Sequence, residues 1–125
     1  MRKLVLSVEQ MKELEMLGID TSDASLYYYP YQNTYILGIR FEDKFDSLKV
    51  PAYTLEDIIE KLPSNIPEES YDGYCSGSSS LVITKKYTGY QSWHLDDHFV
   101  IKFEESMLID SAFKMLKWCK ERNHI

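Results

Sequence analysis

Apolar positions along this chain recur at two spacings, near 3.6 residues in three segments and near two in the stretches between them. These are the signatures of helix and of strand. The first helical segment follows Ser7, with Met11, Leu14 and Leu17 on one arc. Ser7 and Gln10 have the spacing of a capping box, in which each side chain satisfies a backbone N–H of the other, and Leu6 and Met11 are placed as a hydrophobic staple. Gly18 supplies a left-handed stop, with Ile19 folding back on Leu14, so the pattern predicts a helix over 8–17. In "TLEDIIEKLP", Thr54 is the cap and Glu56 and Asp57 sit at the positive end of the dipole. Leu55, Ile58, Ile59 and Leu62 make its apolar face, and Pro63 ends it. The third helix runs from about Met107 to Arg122. Leu108, Ala112, Met115 and Cys119 form a stripe with Ile109, Phe113 and Leu116 beside it, a band wide enough to lie across a sheet. Lys114, Lys117, Lys120 and Arg122 gather toward its negative end.

Between the helices the aromatic and β-branched content rises. "LYYYP" and "TYILGIRF" flank Gln32-Asn33 and read as a hairpin. Pro30, lacking a donor N–H, belongs at an edge or in the turn. "EDKFDSLKVPAY" returns as a charged loop with room for a short strand. "LVITKKY" and "YQSWHL" read as strands divided at Thr88-Gly89. In "HFVIKF", Phe99, Ile101 and Phe103 alternate with Val100 and Lys102. The order is α-ββ-α-βββ-α, and tight turns between strands imply antiparallel pairing. The expected fold is α+β: one compact domain over residues 1–125, in two layers, with an antiparallel sheet of about four to five strands and the three helices packed on one face.

Composition narrows the class. The chain has 125 residues, 44% of them hydrophobic and 27% charged, which suits one folded domain. Two cysteines, Cys75 and Cys119, are too few for a disulfide framework and share no metal-ligand spacing. No apolar run is long enough to span a bilayer, and the apolar patch after Met1 is too short for a secretory signal. The expectation is a reduced, cytoplasmic protein with no membrane association. Net charge is −6, and residues 51–80 hold six acids against one base. Without a basic tract, such a chain is repelled by a phosphate backbone, so nucleic-acid binding is disfavoured.

Four places invite chemistry. In "WHLDDHF" an unbroken strand would put His94, Asp96 and His98 on one face, where two imidazoles and a carboxylate could meet a transition metal. Asp-Asp between two apolar runs is more simply a hairpin apex, which separates those side chains. The apex is the reading taken here, and a metal-dependent hydrolase or metal binder is the alternative. The pairs Glu42-Asp43, Glu68-Glu69 and Glu104-Glu105 lie in polar settings, whereas acid/base work needs two carboxyls in different environments. "CSGSSS" has none of the phosphate-loop or nucleophile-elbow frames around it. No catalytic residue or cofactor is therefore assigned.

The tyrosines are the remaining signal. There are ten, and Tyr27, Tyr28, Tyr29, Tyr31 and Tyr35 crowd nine positions. Alternation sends Tyr27 and Tyr29 to one face and Tyr28 to the other, so one set should remain on the open side of the sheet, where tyrosine suits recognition. Tyr27, Tyr29, Tyr31 and Trp93 are the candidate binding residues. The corresponding function is a small interaction module contacting a protein partner, with a structural homo-oligomer as a further alternative.

The pieces "LSVEQMKELEMLGIDTSDAS", "PAYTLEDIIEKLP" and "SMLIDSAFKMLKWCKERNHI" together resemble small proteins of unassigned function from prophage-like and mobile regions of anaerobic gut bacteria. In those proteins an opening helix, a "T-L-x-D-I-I" helix and a closing "A-x-x-M-L-x-W-C" helix recur around variable strands. Ala112, Met115, Leu116, Trp118 and Cys119 match the closing pattern. The resemblance covers about half of the chain, all of it helix-packing sequence. It implies an accessory role and brings no catalytic motif.

Overall fold

In the computed structural model, residues 3–39, 49–67, 78–92 and 99–125 are described. The elements run α1 (Val8–Met16), β1 (Leu26–Tyr31), β2 (Thr34–Gly38), β3 (Val50–Ala52), α2 (Leu55–Lys61), β4 (Asn65–Pro67), β5 (Ser78–Ile83), β6 (Tyr87–Ser92), β7 (Phe99–Glu104) and α3 (Leu108–Glu121). The fold is α+β, and its order is the one the periodicities predict, with the short strands β3 and β4 added on either side of α2. The strands form two antiparallel sheets in place of one, β2-β1-β3 and β4-β5-β6-β7. Each pairing within a sheet joins near neighbours in sequence. Between β3 and β4 the chain turns through α2, which rests on α3.

Helix termini form by the local chemistry read from the sequence. Ser7 Oγ accepts from Gln10 N–H at 3.1 Å, and Gln10 Oε1 accepts from Ser7 N–H at 2.9 Å. Gly18 takes φ +87°, and Ile19 N–H returns to Leu14 O at 3.1 Å, closing the Schellman ending. Lys3 and Gln10 both donate to Asp110 Oδ1, tying the start of α1 to the first turn of α3. Burial alone would raise the Asp110 carboxyl; these hydrogen bonds, with the charges of Lys3 and Lys114, outweigh it and lower the pKa.

The buried residues form one cluster. Leu6, Met11 and Leu14 meet Tyr53, Ile58, Ile66 and Tyr90 and the inner face of α3, from Ile109 through Met115 and Leu116 to Cys119. Each such aliphatic side chain, fully buried, contributes about 1.5–3 kcal/mol. Polar groups taken inside have partners. Tyr90 donates to Pro63 O at 2.8 Å, and Thr88 Oγ1 meets Ser111 Oγ at 2.9 Å, fixing α3 on β6. Among the described residues no buried side-chain nitrogen or oxygen lacks a partner. No helix among them is long and apolar enough to cross a membrane.

Two local expectations are corrected. The β5–β6 turn lies at Thr84–Lys86, not at Thr88-Gly89, because Thr84 Oγ1 accepts from the N–H groups of Lys86 and Tyr87 at 3.2 and 3.3 Å. Gly89 instead sits mid-strand in β6, where an added Cβ would lie 2.8 Å from Phe99 Cδ1. Phe99 reaches that position because the β6–β7 register shifts between Tyr90 and Gln91, pairing Gln91 with Phe99 and leaving Val100 out of the ladder. Ile101 and Phe103 pack on the core as the alternation predicts. Phe99, displaced by the bulge, turns to the other face and meets Tyr87 edge-on at 5.3 Å.

Candidate interaction surface

The β1–β2 hairpin is closed by two residues with positive φ, Gln32 at 43° and Asn33 at 66°. That is the type I′ geometry whose twist matches paired strands. The register follows directly: Tyr31 opposes Thr34, Pro30 opposes Tyr35, Tyr29 opposes Ile36, Tyr28 opposes Leu37 and Tyr27 opposes Gly38. Tyr27, Tyr29 and Tyr31 therefore share a face with Thr34 and Ile36, while Tyr28 and Pro30 share the opposite face with Tyr35 and Leu37. Strand β3 reaches only Leu26 to Tyr28, so β1 is a central strand at its base and an edge at Pro30. The proline thus removes no ladder hydrogen bond.

Depth along the hairpin, more than the face, decides what each tyrosine does. Tyr27 is 4% exposed; its hydroxyl donates to Ser22 O at 3.2 Å and Lys49 Nζ lies 4.6 Å from the ring centre. It is a packing residue, which corrects its assignment as a binding residue: at the base of β1 the 20–25 segment folds over that face. Tyr28 donates to Leu6 O at 2.7 Å, and burial, followed by the charge of Glu9, pushes its hydroxyl pKa up. Tyr29 is half-buried and donates to Ile39 O at 2.8 Å. Beyond it Tyr31 is 54% exposed, and Tyr35, stacked edge-on against Tyr28 at 5.9 Å, is 44% exposed.

The surface also contains residues that the sequence reading passed over. Ile36, Leu37 and Ile39 are all exposed, Ile39 to 62%. Every residue of β2 from Thr34 to Leu37 is exposed, so neither face of that strand is covered by described residues. The available signal was "TYILGI" itself: six positions after a tight turn with no charge and no polar alternation, the pattern of a strand buried on both faces. A hairpin projecting from the body gives that pattern an exposed setting.

The other candidates give less. Trp93, His94, Asp96 and His98 lie outside the described residues, as do Cys75, Tyr71, Tyr74 and the pairs Glu42-Asp43 and Glu68-Glu69. Among the described residues no group of three or more His, Cys, Asp or Glu side chains could hold a metal ion. Glu105 pairs with Lys114. Cys119 is fully buried; loss of solvent raises its thiol pKa, only partly countered by contact with the Tyr90 hydroxyl, which disfavours the reactive thiolate. A shallow depression of about 160 Å³ between Gly18, Lys61, Lys120 and Ile125 is smaller than a typical ligand pocket. The hairpin carries five of the exposed large apolar side chains among the described residues: Tyr31, Tyr35, Ile36, Leu37 and Ile39. No family model, no curated protein and no solved structure matches this chain.

Proposed function

We propose that this chain is a small interaction module that binds a protein partner through the hairpin face bearing Tyr31 and Ile36, with Tyr29 at its base. The observation that supports this reading is the exposure of Tyr31 and Ile36 on one face of an uncharged hairpin whose other face also leaves Tyr35 and Leu37 exposed. Neighbouring large apolar side chains left in solvent mark an interaction site more often than scattered ones do. Tyrosine at its tip adds a rigid ring and a hydrogen-bonding hydroxyl, the combination enriched at interface centres. The chain's net charge of −6 lies elsewhere in the sequence, so the projection approaches a partner without carrying a charge of its own. The resemblance to small mobile-element proteins agrees with an accessory role of this type.

The test replaces Tyr31 and Ile36 by serine. A partner is first captured from the native source with the unmodified protein, identified, and titrated in purified form. Loss of a central anchor should weaken its binding about 30-fold or more. The melting temperature should stay within a few degrees, since neither side chain is in the core. Unchanged affinity would remove the hairpin face as the binding surface.

A further inference from the structure

We infer that two copies of this chain join edge to edge through β2, making one antiparallel sheet of six strands in the order β3-β1-β2-β2-β1-β3. This rests on the hairpin being the interaction surface and names one occupant, at its edge and not on its face. The two-residue turn makes Tyr31 and Thr34 a hydrogen-bonded pair, and by alternation Tyr29 with Ile36 and Tyr27 with Gly38 are bonded as well. The N–H and C=O groups of Tyr35 and Leu37 then face away from β1, and Ile39 continues the same sense. Strand β2 ends the sheet, and among the described residues nothing pairs with its outer side.

The other sheet edges carry the devices that prevent such pairing. β3 and β4 have three residues each and contain Pro51 and Pro67. β7 carries Lys102 and Glu104 and is bulged. β2 has no charge, no proline and no bulge, which makes it a template for another strand.

The occupant follows from symmetry and charge. A two-fold axis through Leu37 pairs Leu37 with its own copy and Tyr35 with Ile39 of the other. Each outward backbone group then finds a partner; on the face of Tyr35, Leu37 and Ile39 apolar side chains meet apolar ones, and on the other face Ile36 lies over Gly38 of the other copy. Identical strands carrying charge would repel at such an axis, whereas positions 34–39 carry none. A ladder this short buries less than a standard interface, so the dimer should dissociate in a range of about 1–100 µM.

Sedimentation velocity of the whole chain over rising concentration reads the dimer directly. Leu37→Lys places two ammonium groups at the axis and should weaken the dimer about tenfold or more, while Met16→Lys, on the exposed side of α1, should leave it unchanged. Disulfide trapping in a Cys75→Ser background fixes the register. The Cα atoms of a bonded antiparallel pair are about 5.5 Å apart, within disulfide reach. Leu37→Cys should therefore cross-link on mild oxidation. Tyr35→Cys, about 14 Å from its own copy in this register, should not. If Leu37→Lys does not fold, the trapping experiment decides alone. A chain that stays monomeric up to about 1 mM, a dimer that Leu37→Lys leaves intact, or trapping at Tyr35 but not Leu37 would each overturn the inference. A monomer whose partner binding still depends on Tyr31 and Ile36 would remove the dimer and leave the functional reading standing.

Discussion

Asp57 holds the base of the hairpin to the body of the protein, and removing its carboxylate should measure that connection. Its Oδ2 accepts from Ser25 N–H and from Thr54 N–H, both at 3.0 Å, and its Oδ1 accepts from Ser25 Oγ at 2.5 Å. Thr54 is the cap of α2, and Ser25 is the residue before β1, so one side chain fastens a helix start and a strand start together. Asp57→Ala deletes all three bonds. The capping contribution is about 1 kcal/mol. Hydrogen bonds to a charged acceptor reach roughly 1.5–3 kcal/mol each when shielded, but Ser25 is exposed and water can replace much of its share. A total of about 2–3 kcal/mol follows, or roughly 8–12 °C in melting temperature for a chain of this length. Burial raises the Asp57 carboxyl, and the donors from Ser25 and Thr54 more than offset that, so its pKa lies below the ordinary 3.8. A carboxyl lowered by folding stabilises the folded state above its unfolded pKa, and that contribution disappears as the pH falls through the folded value. The stability deficit of Asp57→Ala, measured by urea unfolding, should therefore be full near pH 7 and should shrink as the pH drops below 3.8. Amide exchange in β1 and β2 should quicken in the variant. A deficit below about 1 kcal/mol, or one equally large at both ends of the pH range, would refute the assignment of the effect to the carboxylate.

Three further outcomes are expected. Gly89→Ala should cost about 1–3 kcal/mol because its Cβ meets Phe99 Cδ1 at 2.8 Å and Ile101 O at 3.0 Å; thermal melts should show Phe99→Ala in the same chain recovering part of the loss. Asn33→Val, at φ 66°, should loosen the hairpin by about 1–2 kcal/mol, whereas Asn33→Gly should not, as read by amide exchange across β1 and β2. Cys119, buried and raised in pKa, should resist iodoacetamide in the native protein and react fully in denaturant, as read by mass spectrometry.

What the sequence by itself determined is the part governed by short-range chemistry. Ser7 with Gln10, the Thr54 cap, Gly18 and Pro63 each act within one turn of helix, and each acts in the structure as its position predicts. The same holds for Gln32-Asn33 in its turn and for the apolar stripe of α3. Tertiary structure decided what depends on neighbours distant along the chain. Period-two alternation says which residues share a face but not which face is covered, so the burial of Tyr27 and the exposure of Tyr31, four residues on, were not legible. They follow from how far the 20–25 segment and β3 extend along β1. The division into two sheets, the bulge that moves Phe99 over Gly89, and the open setting of the apolar strand β2 have the same origin. A strand's pattern records how many faces could be buried; only the packed chain determines how many are.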